Sequence, residues 1–253
     1  MSILLSGDFH AGQRGELSVI SRKALRKKLT KPNYDNIQYH IMLGDAGWKW
    51  SKESHKTDLY HLNILYERGF PIYCVFGNHE NYDAIMECPL VDTGLGNDVY
   101  QVYENVFYFQ RGKVYKIEGW DYLILDGGLS IDKMWRKEGI SWWPQEYWTD
   151  LQKIELMNYL KENNKFEFIL SHTGPNSICR NLCVGMPGMK DKFFDDTAIF
   201  FDDVLRSGII FDTWFMGHWH QEQDWLHPYT KQRFTCLYEK VYLIDDGNVR
   251  GPF

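Results

Sequence analysis

The chain has 253 residues, of which 44% are hydrophobic, 25% charged and 16% aromatic, and carries a formal net charge of -6. That length buries a sizeable core and fits one large domain, residues 1–253, better than two equal halves. The acidic balance argues against a protein whose main work is wrapping duplex nucleic acid, since that affinity comes from Lys and Arg neutralising phosphates. A small phosphorylated ligand or one strand end stays open. No stretch approaches the roughly 18 apolar residues needed to span a bilayer, so no membrane partner is expected. The start, MSILLSGDFH, lacks the basic flank and cleavage site of a secretion signal. Five cysteines (Cys74, Cys88, Cys179, Cys183 and Cys236), with no two-residue gap between Cys179 and Cys183, read as free thiols, and the expected localisation is cytoplasmic.

Short apolar runs ending in polar or glycine-containing turns predict strands at Ile3 to Ser6, Tyr39 to Leu43, Ile72 to Phe76, Tyr122 to Leu125, Phe166 to Leu170 and Ile209 to Met216. Between them, Glu16 to Leu29, Thr57 to Glu67, Gln145 to Glu162 and Asp195 to Arg206 read as helices. The alternation suggests βαβ units and a layered α/β fold, with antiparallel pairs added by Val106 to Leu125 and Phe234 to Ile244. Asp126 to Trp148 breaks the pattern: with three glycines, four tryptophans and no steady period, it reads as a long structured loop, a kind of segment that is usually functional in compact domains. His40, inside an apolar run, reads as a satisfied strand residue, and Asp195-Asp196 with Asp202-Asp203 as solvated or capping charges.

Chemistry gathers where the predicted strands stop. The first run is followed by Gly7-Asp8-Phe9-His10, the second by Gly44-Asp45, the third by Gly77-Asn78-His79-Glu80, a later one by Ser171-His172 and another by Gly217-His218-Trp219-His220. In open α/β sheets the carboxyl ends of strands converge on the ligand crevice, so residues distant in sequence meet there. Asp and His suit borderline divalent metals, and i, i+2 spacing lets Asp8 and His10, or His218 and His220, point to one side of an extended chain. The preceding glycines fit a sharp turn or a close backbone approach.

In order and spacing these blocks resemble the calcineurin-like metallophosphoesterases, whose signature reads GDxH, GD, GNHE, a single His and GHxH. The resemblance implies a two-sheet β-sandwich flanked by helices, a four-layer αββα arrangement of α/β class, with a two-metal site at the strand ends. Carried over motif by motif, Asp8, His10 and His220 hold one metal, Asn78, His172 and His218 the other, and Asp45 bridges both. A carboxylate has two oxygens and spans two cations, whereas an imidazole with one free nitrogen does not. The implied reaction is in-line attack on phosphorus by a hydroxide held between the metals, with His79 as the candidate general acid. Glu80 is open between orienting His79 and a structural role. The expected cofactors are two divalent ions, manganese first, with iron, zinc or nickel also compatible with these ligands.

The chain departs from the serine/threonine phosphatases of this superfamily, which carry an Arg after the second Asp and another before GNHE. Here those places read Gly44-Asp45-Ala46-Gly47-Trp48 and Val75-Phe76-Gly77-Asn78-His79. Without that arginine fork, a nucleotide or other small phosphoester is a better expected substrate than a phosphoprotein. Lys133 and Arg136 of the Trp-rich loop, and Arg180 beyond His172, are the candidate substrate contacts. Trp135, Trp142 and Trp143 either stack on a base or form the packed base of the loop. The alternatives are a phosphoprotein phosphatase, a nuclease using the basic run Arg22 to Lys28, and a non-catalytic binding scaffold. The intact ligand blocks argue against the scaffold, and the basic run also fits the exposed side of a helix.

Overall fold

All of β1 (Ser2–Ser6) is buried, yet Ile3 and Leu5 join one apolar cluster and Leu4 another, because successive side chains of a strand leave on opposite faces. A strand buried on both faces has to be covered twice, and that requirement sets the layers of the molecule. The computed structural model describes residues 1–8, 10, 22–51, 55–66, 69–182, 195–227 and 230–253. After β1 the strands are β2 (Ile37–Met42), β3 (Ile72–Cys74), β4 (Leu90–Val91), β5 (Val99–Tyr103), β6 (Val106–Tyr108), β7 (Val114–Ile117), β8 (Trp120–Leu125), β9 (Phe168–Ser171), β10 (Thr213–Met216), β11 (Gln223–Leu226), β12 (Arg233–Cys236), β13 (Tyr242–Asp245) and β14 (Asn248–Arg250). They form an eight-stranded sheet in the order β14-β13-β1-β2-β3-β6-β5-β4 and a six-stranded sheet in the order β11-β12-β10-β9-β8-β7. In the first sheet β1, β2, β3 and β6 run parallel. In the second, β8, β9, β10 and β12 do so, and antiparallel strands close the edges of both.

Ile3, Leu5 and Ile41 of the first sheet meet Ile124, Phe168, Leu170 and Phe215 of the second in one apolar layer. On its outer face the first sheet is covered by α1 (Arg22–Lys28), α2 (Lys31–Asp35), α3 (His55–Tyr66) and α4 (Tyr82–Met86), whose Leu25, Tyr34, Leu62 and Ile85 cluster with Leu4, Met42 and Ile72. The second is covered by α5 (Asp150–Glu162), α6 (Asn176–Leu182) and α7 (Asp196–Arg206) through Leu156, Leu160, Ile178, Phe201 and Val204 against Leu123, Ile169 and Trp214. The result is the expected α/β fold of two mixed sheets flanked by helices. Among the described residues, no helix is long and apolar enough to cross a membrane.

Several boundaries moved for identifiable reasons. The helix expected from Gln145 starts at Asp150, because Thr149 and Gln152 form a reciprocal capping box there, while Pro144–Glu146 is a separate 3-10 turn. Of the helix expected over Glu16 to Leu29, residues 16–21 lie outside the described residues. Its described part turns Leu25 and Leu29 inward and leaves Lys23, Arg26 and Lys27 exposed, so the basic run is the outer side of a covering helix. The Phe234 to Ile244 region adds the expected antiparallel pairs, β12 with β11 and β13 with β1, but in different sheets, so the chain crosses between layers. His40 is buried with Nε2 2.8 Å from Ser6 Oγ. Asp195 and Asp202 are buried rather than solvated: Asp195 caps α7 by accepting from Thr197 N, and Asp202 accepts from Ser177 Oγ at 2.6 Å.

Phe215 is fully buried between the sheets on the strand that leads to His218. Phe215→Ala should cost about 3–5 kcal/mol of stability, read as a lower urea midpoint with an unchanged slope.

Candidate active site

Parallel strands of both sheets deliver their carboxyl ends to one place, and each end is followed by a reactive side chain: Asp8 and His10 after β1, Asp45 after β2, Asn78 and His79 after β3, His172 after β9, and His218 and His220 after β10. The backbone there is unusual. Asp8, His10, Asp45, His218 and His220 have φ of 41°, 47°, 51°, 69° and 50°, a left-handed region that residues with a Cβ seldom visit and that clusters at functional sites. The sequence assigned turns or close approaches to the glycines; the left-handed geometry falls largely on the site residues themselves. Gly44 combines both roles, with φ +86° and room for only 2.2 Å between a Cβ and His172 Nδ1, whereas Gly77 serves close approach, its Cβ position being 2.2 Å from Asp45 Oδ1.

Two groups of donor atoms result. Asp8, His10 and His220 bring one ligand atom each within 4.8 Å of one another, and the Nε2 atoms of His10 and His220 are 3.3 Å apart. In the other group, Asn78 Oδ1 lies 2.9 Å from His172 Nε2 and 3.0 Å from His218 Nδ1, and those nitrogens are 3.2 Å apart. Asp45 stands between the groups, with Oδ1 3.3 Å from His172 Nε2 and Oδ2 3.8 Å from His10 Nε2. Asp8, Asp45 and His172 also lie within 4.8 Å of one another.

The hydrogen-bond partners around the second group decide what it can hold. His172 Nδ1 faces the Leu43 carbonyl at 2.8 Å, so in the neutral ring Nδ1 carries the proton and Nε2 presents a lone pair. Asn78 Nδ2 donates to Ser130 Oγ at 3.3 Å, and Ser130 Oγ donates to Glu146 Oε2 at 2.6 Å, which turns Asn78 Oδ1 toward the imidazoles. Two acceptors, His172 Nε2 and Asn78 Oδ1, therefore face each other at 2.9 Å, an arrangement that a cation among them would relieve. Separations near 3 Å are those of neighbouring ligands around a divalent ion with bonds of about 2.1 Å. The residues present fit a metal.

Burial pushes His10 down to about 4, against the pull of Asp45, so its imidazole is neutral near pH 7. Burial holds His218 well below its ordinary value and lowers His79 as well, where Asp45 opposes the shift and the Arg136 guanidinium adds to it. Burial raises Asp45, but the surrounding imidazoles, His172 foremost, override it and keep the carboxyl below its ordinary range. Glu80 does not orient His79. It is fully buried and accepts from the Ala46 and Gly47 amides and the Tyr108 hydroxyl, which pins the turn that carries Asp45.

His79 stands beside both groups. Its backbone N donates to Asp45 Oδ1 at 2.8 Å, and its ring centroid is 5.2 Å from that of His10. Arg136 reaches it from the Trp-rich loop, with NH2 2.6 Å from His79 Nε2. Lys133 is exposed and holds its Nζ 3.8 Å over the Trp142 ring, and Arg180 is exposed on α6. Trp142 and Trp143 are buried, with Trp143 donating to Asp83, so they form the packed base of the loop; Trp135 is 79% exposed. Ser130 and Glu146 were not singled out from the sequence. Ser130 lies close to a strand end, a weak signal, but Glu146 reaches it from 16 residues along only because the loop folds back.

The family model for calcineurin-like phosphoesterases matches residues 1–222, and the chain belongs to that family of metal-dependent hydrolases. No curated protein matches it. Among solved structures, a dimetal phosphatase from Danio rerio is similar at 13% identity and TM-score 0.53, over 100% of this chain and 96% of that one. A candidate 5′-nucleotidase from Staphylococcus aureus is similar at 10% identity and TM-score 0.46, over 96% of this chain, which spans only 50% of the other. A phosphopantetheinyl hydrolase from Mycobacterium tuberculosis is similar at 14% identity and TM-score 0.43, over 94% of this chain and 89% of that one. At such identities the likeness to the Danio rerio protein concerns the fold alone.

Because the folded state depresses His10, the unfolded chain takes up a proton that the native state refuses between pH 6.5 and about 4. The metal-free protein should lose stability as pH falls through that window. Thermal melts would show a declining Tm, with a shallower decline for His10→Gln.

Proposed function

We propose that the chain hydrolyses a phosphate mono- or diester of a nucleotide or another small molecule, using two divalent cations. Asp8, His10 and His220 hold one, Asn78, His172 and His218 the other, and Asp45 bridges both. The observation that carries this reading is the meeting of two acceptors, Asn78 Oδ1 and His172 Nε2, with His218 Nδ1 alongside, next to a carboxylate whose two oxygens face different imidazoles. The cations, when bound, supply charge neutralisation for the phosphoryl oxygens and acidify water. Manganese is the first choice, with iron, zinc and nickel compatible with the same ligands.

The protein's own part is positional. Asp45 and the Glu80-pinned turn fix the spacing of the two groups, and the neutral Asn78 amide keeps the second one less negative. His79 meets the departing oxygen with an N–H. Ala46 and Phe76 are buried where a phosphate-clamping arginine would otherwise stand, which favours a small substrate over a phosphoprotein. The exposed face of Trp135, next to Arg136 in the loop, suits a nucleobase. Buried thiols at Cys74, Cys88 and Cys236 fit a cytoplasmic setting.

The wild-type protein, loaded in turn with manganese, iron, zinc and nickel, should cleave phenyl phosphate, p-nitrophenyl phosphate or the corresponding diesters. Cleavage of none of them, with metal bound, would leave a binding scaffold and refute the reading. Asp45→Asn should lower metal content by elemental analysis. His79→Ala should keep the metal and lose about 10²- to 10⁴-fold in kcat on phenyl esters. Its loss on p-nitrophenyl esters should be smaller, because that oxygen departs without a proton.

A further inference from the structure

The arginine that reaches His79 has almost every donor engaged. Arg136 Nε pairs with Asp132 Oδ1 at 2.7 Å, and NH1 lies 3.3 Å from the Asn78 carbonyl and 3.4 Å from the Ser141 carbonyl. NH2 is 2.6 Å from His79 Nε2 and 3.2 Å from His79 Nδ1. The Arg136 side chain is only 7% exposed, although its partner Asp132 is 44% exposed. A phosphate clamp needs an open fork of parallel N–H groups. Here the fork is closed onto the peptide and the ring of two consecutive residues, Asn78 and His79.

With one guanidinium nitrogen within 3.2 Å of both ring nitrogens, Arg136 lies against the His79 ring rather than along the in-plane lone pair of either, and holds it as a packed cation. From these contacts we infer that Arg136, braced by Asp132, is the positioning residue of His79: it fixes the orientation of the ring at the site. The inference rests on the proposed role of His79 at the leaving oxygen, and it supplies the orienting partner that neither Asp45 nor Glu80 provides. Asp132 acts on His79 only through Arg136, by holding the guanidinium in place. Arg136 therefore acts through His79 rather than by gripping substrate, although the sequence suggested it as a phosphate contact.

The two roles separate kinetically. For a positioning residue, Arg136→Ala should lower kcat on phenyl phosphate about 10- to 100-fold, with KM changed by less than about threefold. The loss on p-nitrophenyl phosphate should be smaller, and millimolar guanidinium should restore part of the lost turnover. Arg136→Lys, which keeps the charge but not the fork, should recover little, and Asp132→Asn should show a milder version of the Arg136→Ala defect. Adding Arg136→Ala to His79→Ala should cost almost nothing further. A raised KM with kcat retained, or a full additional loss in the His79→Ala background, would overturn the inference.

A second readout does not need turnover. In the metal-free protein labelled with 15N-histidine, Arg136→Ala should change the pattern of His79 ring signals while the melting temperature and the other ring signals stay close to wild type. An unchanged His79 pattern would overturn the inference. Wild-type protein that cleaves no phosphoester would instead refute the proposed function, and the ring signals would still decide whether Arg136 positions His79.

Discussion

Asp45 stands where the two sheets' contributions meet, with one oxygen near His172 from the second sheet and the other near His10 from the first. It occupies a left-handed turn, is almost fully buried, and accepts the backbone N–H of His79. A carboxylate can be kept there only if its charge is balanced and its turn is held, and much of the surrounding structure answers those two needs. Imidazoles surround it on several sides, and Glu80, anchored by the Tyr108 hydroxyl, grips the two amides that follow it. Gly44 and Gly77 leave room for His172 and for Asp45 itself, where a single methyl group would collide.

The Trp-rich segment is a second shell rather than a flap. Its base is fixed by buried Trp142, Trp143 and Trp148, and by Arg111, which pairs with Asp126 and donates to the Gln145 and Tyr147 carbonyls. From that anchored base the loop sends Ser130 to Asn78 and Arg136 to His79. The Ser130 contact works by choosing which atom of an ambiguous amide faces the imidazoles, the oxygen of Asn78, and the Arg136 contact by packing against the His79 ring. An amide is nearly indifferent to its two orientations until a neighbour with a fixed acceptor decides between them.

Much of the fold was legible because its strands are short apolar runs buried on both faces, and such runs stand out against polar helices. The five blocks of site residues were legible for a related reason: each follows directly from the end of a strand, so position along the chain already implied position in space. Elements with local causes of another kind were misread. Gln145 to Glu146 lies on a 3-10 turn rather than in the helix, since Thr149 with Gln152 outcompetes any earlier start. Asp195 takes the capping role that was one of its two readings, whereas Asp202 is buried because a charge pair gives no sign of the hydroxyl that will satisfy it.

The sequence by itself determined the alternation of strands and helices, the family, and the set of residues able to meet at the strand ends, since all of these follow from periodicity and from side chains adjacent to turns. Only the tertiary structure decided how those residues face one another. Glu80 became a brace for a turn, Glu146 an anchor for an amide through Ser130, and Arg136 a partner of His79. Each of those outcomes depends on a contact across 16 to 57 residues, and hydrogen bonds at that separation are set by how layers and loops pack, which no local pattern encodes.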